Sequence, residues 1–268
     1  MSPNRRLSTV AAGVLAAVLA AIFWQLITIK TYWPSQPPPS PAAPAPPLTR
    51  PPVAAATASD TPAPPTPTPS SPHSVVTNLA VPFTPQAPSA NWAQPYQDAC
   101  EEAAVLMVEH FWQNTPFSPH SANQEILQLV DFQVKQFGFY KDSNTAETAR
   151  WVESYYPHLA AAIKYDVTAD EITAALKNGI PVIVLVNGRR LGNPFYTPPG
   201  PDKHALVIKG IAGDSFITND PGTRRGADYH YPQTKVLQAM IDYDGAKPGT
   251  HTKAMLLLSP RPGQPSDL

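Results

Sequence analysis

The chain has 268 residues, with 19 Lys and Arg against 20 Asp and Glu, a formal charge of −1 and a single cysteine. That charge balance lacks the clustered cations that phosphate-driven nucleic-acid binding requires, so nucleic acid is not an expected partner. One cysteine excludes an intramolecular disulfide framework and a cysteine-built zinc site, and no metal or other cofactor is expected.

After a short N-terminal stretch, residues 1–6, the segment Leu7 to Ile29 runs without a charge between Arg6 and Lys30. As a helix it is long enough to cross about 30 Å of hydrocarbon, and no small-x-small cleavage site directly follows its apolar core. It reads as a single-pass membrane anchor rather than a cleaved signal peptide. Arg5 and Arg6 put the N-terminus in the cytoplasm, and Trp24, Tyr32 and Trp33 suit the far interface, so everything that follows lies outside the cell membrane. Residues 30–73 are mostly Pro, Ala, Ser and Thr, too poor in apolar side chains for a core, and read as an extended stalk.

Residues 74–262 have the length of one domain with a single core, ahead of a short tail, 263–268. Ala80 to Phe83 reads as a short edge strand, its proline barring a central position. Gln97 to Trp112 reads as a helix, with Ala104, Met107, Val108 and Phe111 at helical spacing from Cys100. Ser121 to Phe137 gives a second helix, and Ser143-Asn-Thr-Ala-Glu147 opens a third that ends before Pro157. A strand-like stretch from Ala160 to Val167 then leads into the capping box Thr168-Ala-Asp-Glu171, a helix to Lys177 and the stop Asn178-Gly179. Strands follow at Pro181–Val186, His204–Gly210 and Asp214–Asn219; Tyr231–Ile241 reads as helix, and Lys253–Leu258 as a last strand. Helices first and sheet second make the class α+β.

Cys100 stands in the first turn of its helix. A free cysteine ordinarily packs as a small hydrophobe, but at this position unsatisfied backbone N–H groups favour the thiolate. A nucleophile also needs an imidazole, a group to orient it and donors for an oxyanion. His204 opens an apolar strand. If that strand and the next pair as an antiparallel hairpin through the turn at 210–213, the start of one lies beside the end of the other, bringing His204 to Asn219 and Asp220. The long loop from Asn187 to Lys203 delivers the chain to His204; Phe195 and Tyr196 in it could line a groove or simply stabilise the loop. Arg224 and Arg225 read as a solvated turn, with pairing to a substrate carboxylate as the alternative.

Val81-Pro-Phe-x-x-Gln86, Asp98-x-Cys100-Glu-x-Ala, His204-Ala-Leu-Val-x-x-Gly210 and Asn219-Asp220-Pro-Gly222 together resemble the papain-like cysteine peptidases of the double-glycine leader peptidase family, particularly their stand-alone bacterial relatives. Gly222-Thr-Arg-Arg-Gly226 and Tyr229-x-Tyr231 share the likeness. The resemblance implies a papain-like fold, with the N-terminal helices packed on an antiparallel sheet. It implies Cys100 as nucleophile, His204 as base and then acid, Asp220 as orienting carboxylate and Gln86 as oxyanion donor. Asn219 competes with Asp220, and Gln94 and Gln97 lie nearer the cysteine than Gln86. The expected function is a membrane-anchored extracytoplasmic peptidase acting on a peptide or protein substrate. A peptide- or wall-binding module on the same fold, and a cell-wall amidase or transpeptidase, are the alternatives.

Overall fold

In a computed structural model the described residues are 75–243 and 253–262. The expected anchor at 7–29, the stalk at 30–73 and the tail at 263–268 lie outside them. Among the described residues no helix is long and apolar enough to cross a membrane.

The chain opens with strand β1 (Val75–Asn78), passes through a 3-10 turn (Tyr96–Asp98) and enters helix α1 (Cys100–Gln113). Helices α2 (Pro119–Phe137) and α3 (Thr145–Tyr155) follow, and Ser118 and Asn144 cap them with side-chain oxygens that accept the N–H of the residue three places on. Strand β2 (Leu159–Tyr165), helix α4 (Ala169–Lys177) and strand β3 (Val182–Val186) come next, the expected Thr168–Glu171 capping box opening α4. After a short helical turn, α5 (Gly188–Leu191), the chain forms β4 (His204–Ala212), β5 (Ser215–Asn219), β6 (Tyr229–Pro232), α6 (Gln233–Ala239) and β7 (Ala254–Pro260).

All strand pairings are antiparallel, in the order β2-β7-β3-β4-β5-β6. β1 pairs with the far end of β4, where Asn78 meets Gly210, beyond the stretch that β3 covers. Side-chain alternation divides the central strands between two cores. Ile183, Leu185, Ala205, Val207, Leu256 and Leu258 pack with Cys100, Ala104, Met107 and Val108 of α1. Val182, Val184, Leu206, Ile208 and Met255 face Ile172 and Leu176 of α4 and Val236 of α6. Helices thus cover both faces, which is why β3 and β4 are buried along their whole length.

Three expectations needed revision. The strand expected at Ala80–Phe83 lies earlier, at β1; the Val81 and Pro82 carbonyls are satisfied instead by the side-chain amide of Asn219, at 3.0 and 3.1 Å. The helix expected from Tyr231 begins only after Pro232, because Tyr229–Pro232 first adds a strand to β5, with Tyr231 opposite Phe216. Burial of α1 extends beyond the expected stripe of Cys100, Ala104, Met107 and Val108: every residue from Cys100 to His110 is buried, Glu101, Glu102 and Glu109 included, because the 3-10 turn and α2 cover the face away from the sheet.

Candidate active site

The β4–β5 hairpin forms as the spacing required, turning at Gly213, whose φ of 59° suits glycine. Val207 lies opposite Asn219, so the chain just past β5 reaches the start of β4. There His204 Nε2 meets Asp220 Oδ1 at 2.8 Å, with both side chains buried. A carboxylate on Nε2 fixes the proton there and leaves Nδ1 as the basic nitrogen. Gly222 lies against the imidazole: a Cβ on it would fall 2.8 Å from His204 Cε1.

Asp220 is more elaborately held than the sequence suggested. The Gly222 N–H donates to Oδ1 at 3.0 Å, while Tyr196 Oη, Tyr231 Oη and Asn193 Nδ2 donate to Oδ2 at 2.7, 2.6 and 3.1 Å. Burial alone would raise its pKa. The positive charge that His204 can carry, its hydrogen bond and the two phenols outweigh burial and hold the carboxyl below its usual value. The same burial and the Asp220 charge push both phenols far up, so they remain donors. Asn193 was not legible as a site residue. Tyr196 and Tyr231 carried only the signals of a long loop before the histidine and a Tyr-x-Tyr after the aspartate.

Of the two rivals for the orienting role, only Asp220 touches the imidazole. Asn219 instead clamps Val81 and Pro82 and accepts the Asp228 N–H at 3.3 Å.

Cys100 is 5% exposed at the start of α1 and shares a cavity of about 720 Å³ with His204, Gln86, Trp92, Tyr196 and Gly222. Its S–H donates to Glu101 Oε2 at 3.2 Å, and no hydrogen bond joins the sulfur to His204. The open helix start was expected to lower the thiol pKa; here burial first, then Glu101, push it well up, against a weaker opposing contact from the Ala205 N–H. Burial, then neighbouring Glu102, in turn raise Glu101 well above the carboxylate range. A neutral Glu101 can take the S–H on its carbonyl oxygen without placing a charge against the sulfur.

Gln86 reaches the cavity but its amide is engaged. Nε2 donates to the Tyr96 and Gln97 carbonyls, both at 2.9 Å, while the Gln86 backbone N–H donates to Pro221 O, also at 2.9 Å. It therefore fastens the turn before Cys100 to the loop after Asp220. Gln97 lines the same cavity, whereas the Gln94 amide bonds Asp98 at 2.7 Å. Among the described residues no group of three His, Cys, Asp or Glu side chains could hold a metal.

A cysteine heading a central helix, packed on an antiparallel sheet that presents a carboxylate-bound histidine to the same cavity, is the arrangement of a papain-like cysteine peptidase. The model of the Peptidase_C39 like family matches residues 78–247, and the chain belongs to that family and is a cysteine-type peptidase. Among solved structures it is similar to a C39-like peptidase from Bacillus anthracis, at 15% identity over 68% of this chain and 96% of that one, with a TM-score of 0.44. It is also similar to a double glycine motif protease from an AMS/PCAT transporter, solved with a leader peptide, at 17% identity over 69% and 96% of the two chains and a TM-score of 0.41. No curated protein matches the chain.

Proposed function

We propose that the chain hydrolyses peptide bonds through Cys100, His204 and Asp220, from an extracytoplasmic position at the membrane. The observation that carries this reading is the 2.8 Å contact between His204 Nε2 and a buried Asp220, made at the rim of the cavity that also holds the only thiol.

With the sulfur protonated at rest and bonded to Glu101, the first step is removal of its proton by His204 Nδ1 as substrate fills the cavity, rather than use of a preformed ion pair. The thiolate adds to the carbonyl carbon and the negative charge moves to its oxygen. The Cys100 backbone N–H, which meets no acceptor among the described residues, lies at the helix start where that charge is favoured. Gln86 is the second donor: an oxyanion competes well for one amide proton now shared with a neutral carbonyl. Imidazolium then protonates the leaving amine as the C–N bond breaks, giving a thioester. Asp220, held by five donors, stabilises the imidazolium and fixes its ring. Water then adds to the thioester carbon as His204 takes its proton, the C–S bond breaks to release the carboxylic acid, and the proton returns from His204 to the sulfur.

The uncharged run at 7–29 behind Arg5 and Arg6, followed by the proline-rich stretch to 73, supports single-pass anchoring with the peptidase outside. Retention of the chain in the membrane pellet after alkaline carbonate washing checks that part.

The catalytic reading is tested by incubating the protein with a proteome-derived peptide mixture and identifying new termini and acid-quenched Cys100 acyl adducts by mass spectrometry. The parent should cut peptides and carry the adduct. Cys100→Ala should do neither, and Asp220→Asn should slow cutting by roughly 10²-fold or more, in line with the loss of a positioned acid–base group. Peptides bound intact by the parent, or cutting that persists in Cys100→Ala, would overturn it.

A further inference from the structure

A second cleft, of about 340 Å³, adjoins the cysteine cavity and shares Trp92, Thr197 and Gly222 with it; its other walls are Phe195, Thr223, Arg224 and Arg225. Trp92 and Phe195, 39% and 42% exposed, are both among the large hydrophobic side chains left open to solvent in the described residues. The Arg225 guanidinium lies 4.8 Å from the centre of the Phe195 ring.

The charges of the two clefts differ. The carboxylates lining the cysteine cavity are each matched by a cation: Asp98 by Lys141 at 2.9 Å, Asp142 by Lys203 at 3.4 Å and Asp202 by Arg189 at 2.8 Å. Arg224 and Arg225 have no carboxylate within 4 Å among the described residues. The loop that carries them is closed rather than loose. The Asp220 N–H donates to Gly226 O at 2.9 Å, the Arg225 N–H donates to Thr223 Oγ1 at 3.2 Å, and Thr223 is buried. Gly226 packs so tightly on the Asp220 carbonyl that no side chain fits there. The backbone that carries the two exposed, unmatched arginines is thus tied to Asp220, the residue bonded to His204.

We propose that this cleft is a specificity site for an acidic side chain, Asp or Glu, of the substrate peptide, on the leaving-group side of the cut. The site rests on the peptidase reading above. The side follows from the chemistry: His204, which protonates the departing amine, lines the cysteine cavity, and the second cleft joins that cavity at Gly222, where a Cβ would fall 2.8 Å from His204 Cε1. Arg224 and Arg225 meet the carboxylate, and the faces of Trp92 and Phe195 flank the chain that bears it. Guanidinium groups suit this role because their paired donors match a carboxylate.

The experiment maps every cut made by the protein in a proteome-derived peptide mixture and counts residues at the first three positions after the cut. Asp and Glu should be enriched there by about 5- to 10-fold, the order expected for one charge-assisted, partly desolvated contact. Arg224→Ala with Arg225→Ala should abolish the enrichment, Arg224→Lys with Arg225→Lys should keep part of it, and Arg224→Glu with Arg225→Glu should replace it by enrichment of Lys and Arg. That last switch cannot arise from misfolding. Cuts by the parent without acidic enrichment, or enrichment unchanged in the doubly substituted chains, would overturn the specificity site alone. Absence of any cutting by the parent would overturn the peptidase reading and this site with it.

Discussion

Replacing Glu102 by glutamine should stabilise the protein at neutral pH, by an amount that grows as the pH rises. Glu102 lies fully buried in the first turn of α1, one residue from the Glu101 that holds the thiol. Burial raises its pKa to about 8, against an ordinary 4.5, despite the hydrogen bond that Gln133 Nε2 donates to Oε1 at 2.6 Å. A folded pKa above the unfolded one contributes stability that is complete below the unfolded value and is lost as pH rises through the folded one. Between pH 4.5 and 8 the unfolded carboxyl ionises while the folded one keeps its proton, so each pH unit costs about 1.4 kcal/mol. At pH 7 the accumulated cost is on the order of 3 kcal/mol. Glutamine keeps the acceptor for Gln133 and removes the ionisation. Urea unfolding of parent and Glu102→Gln at pH 5, 6, 7 and 8 measures the gap, expected below about 1 kcal/mol at pH 5 and near 3 at pH 7. A gap that stays constant across that range, or narrows with rising pH, would refute the assignment of a neutral buried carboxyl at this position.

Gly222→Ala places a methyl 2.8 Å from His204 Cε1 and 2.9 Å from Tyr196 Cε1, so the imidazole must move. Peptide cleavage should fall by about 10- to 10²-fold, as displacement of a catalytic group by less than an ångström can cause, and near-parent cleavage rates would show that the ring has room. Gln86→Glu keeps the shape but turns a donor into a carboxylate facing the Tyr96 and Gln97 carbonyls. It should cost roughly 2–3 kcal/mol in urea unfolding at neutral pH and recover part of this near pH 4, where protonation restores one donor. An unchanged unfolding midpoint would mean that the amide does not fasten the turn.

The order of elements was legible because local chemistry specifies it. Asn144 with Glu147, and Thr168 with Glu171, satisfy helix N-termini from side chains three residues apart, a pattern that needs no tertiary partner. The uninterrupted apolar run of β3 required helices on both faces, and both are present. Where reading by pattern went astray, a distant group had intervened. The Asn219 amide, 138 residues away in sequence, satisfies the Val81 carbonyl and removes the need for a strand there. Pairing with β5 draws Tyr229–Pro232 into the sheet before α6 can begin.

The candidate site divides the same way. Sequence by itself determined that a single thiol heads a helix, that a histidine opens an apolar strand, and that a hairpin of that length carries Asn219 and Asp220 back to it; these follow from chain spacing and the antiparallel rule. Only the tertiary structure shows that Asp220 meets the imidazole while Asn219 turns to the Val81 carbonyl, since adjacent residues at a strand end point to opposite sides. It alone drew Asn193, Tyr196 and Tyr231 onto the aspartate, and it alone buried Glu101 and Glu102 beside the sulfur. The pKa of a group depends on what surrounds it in three dimensions. A helix start that favours thiolate in open solvent therefore holds a thiol here, where burial and a neighbouring carboxyl outweigh the helix's positive end.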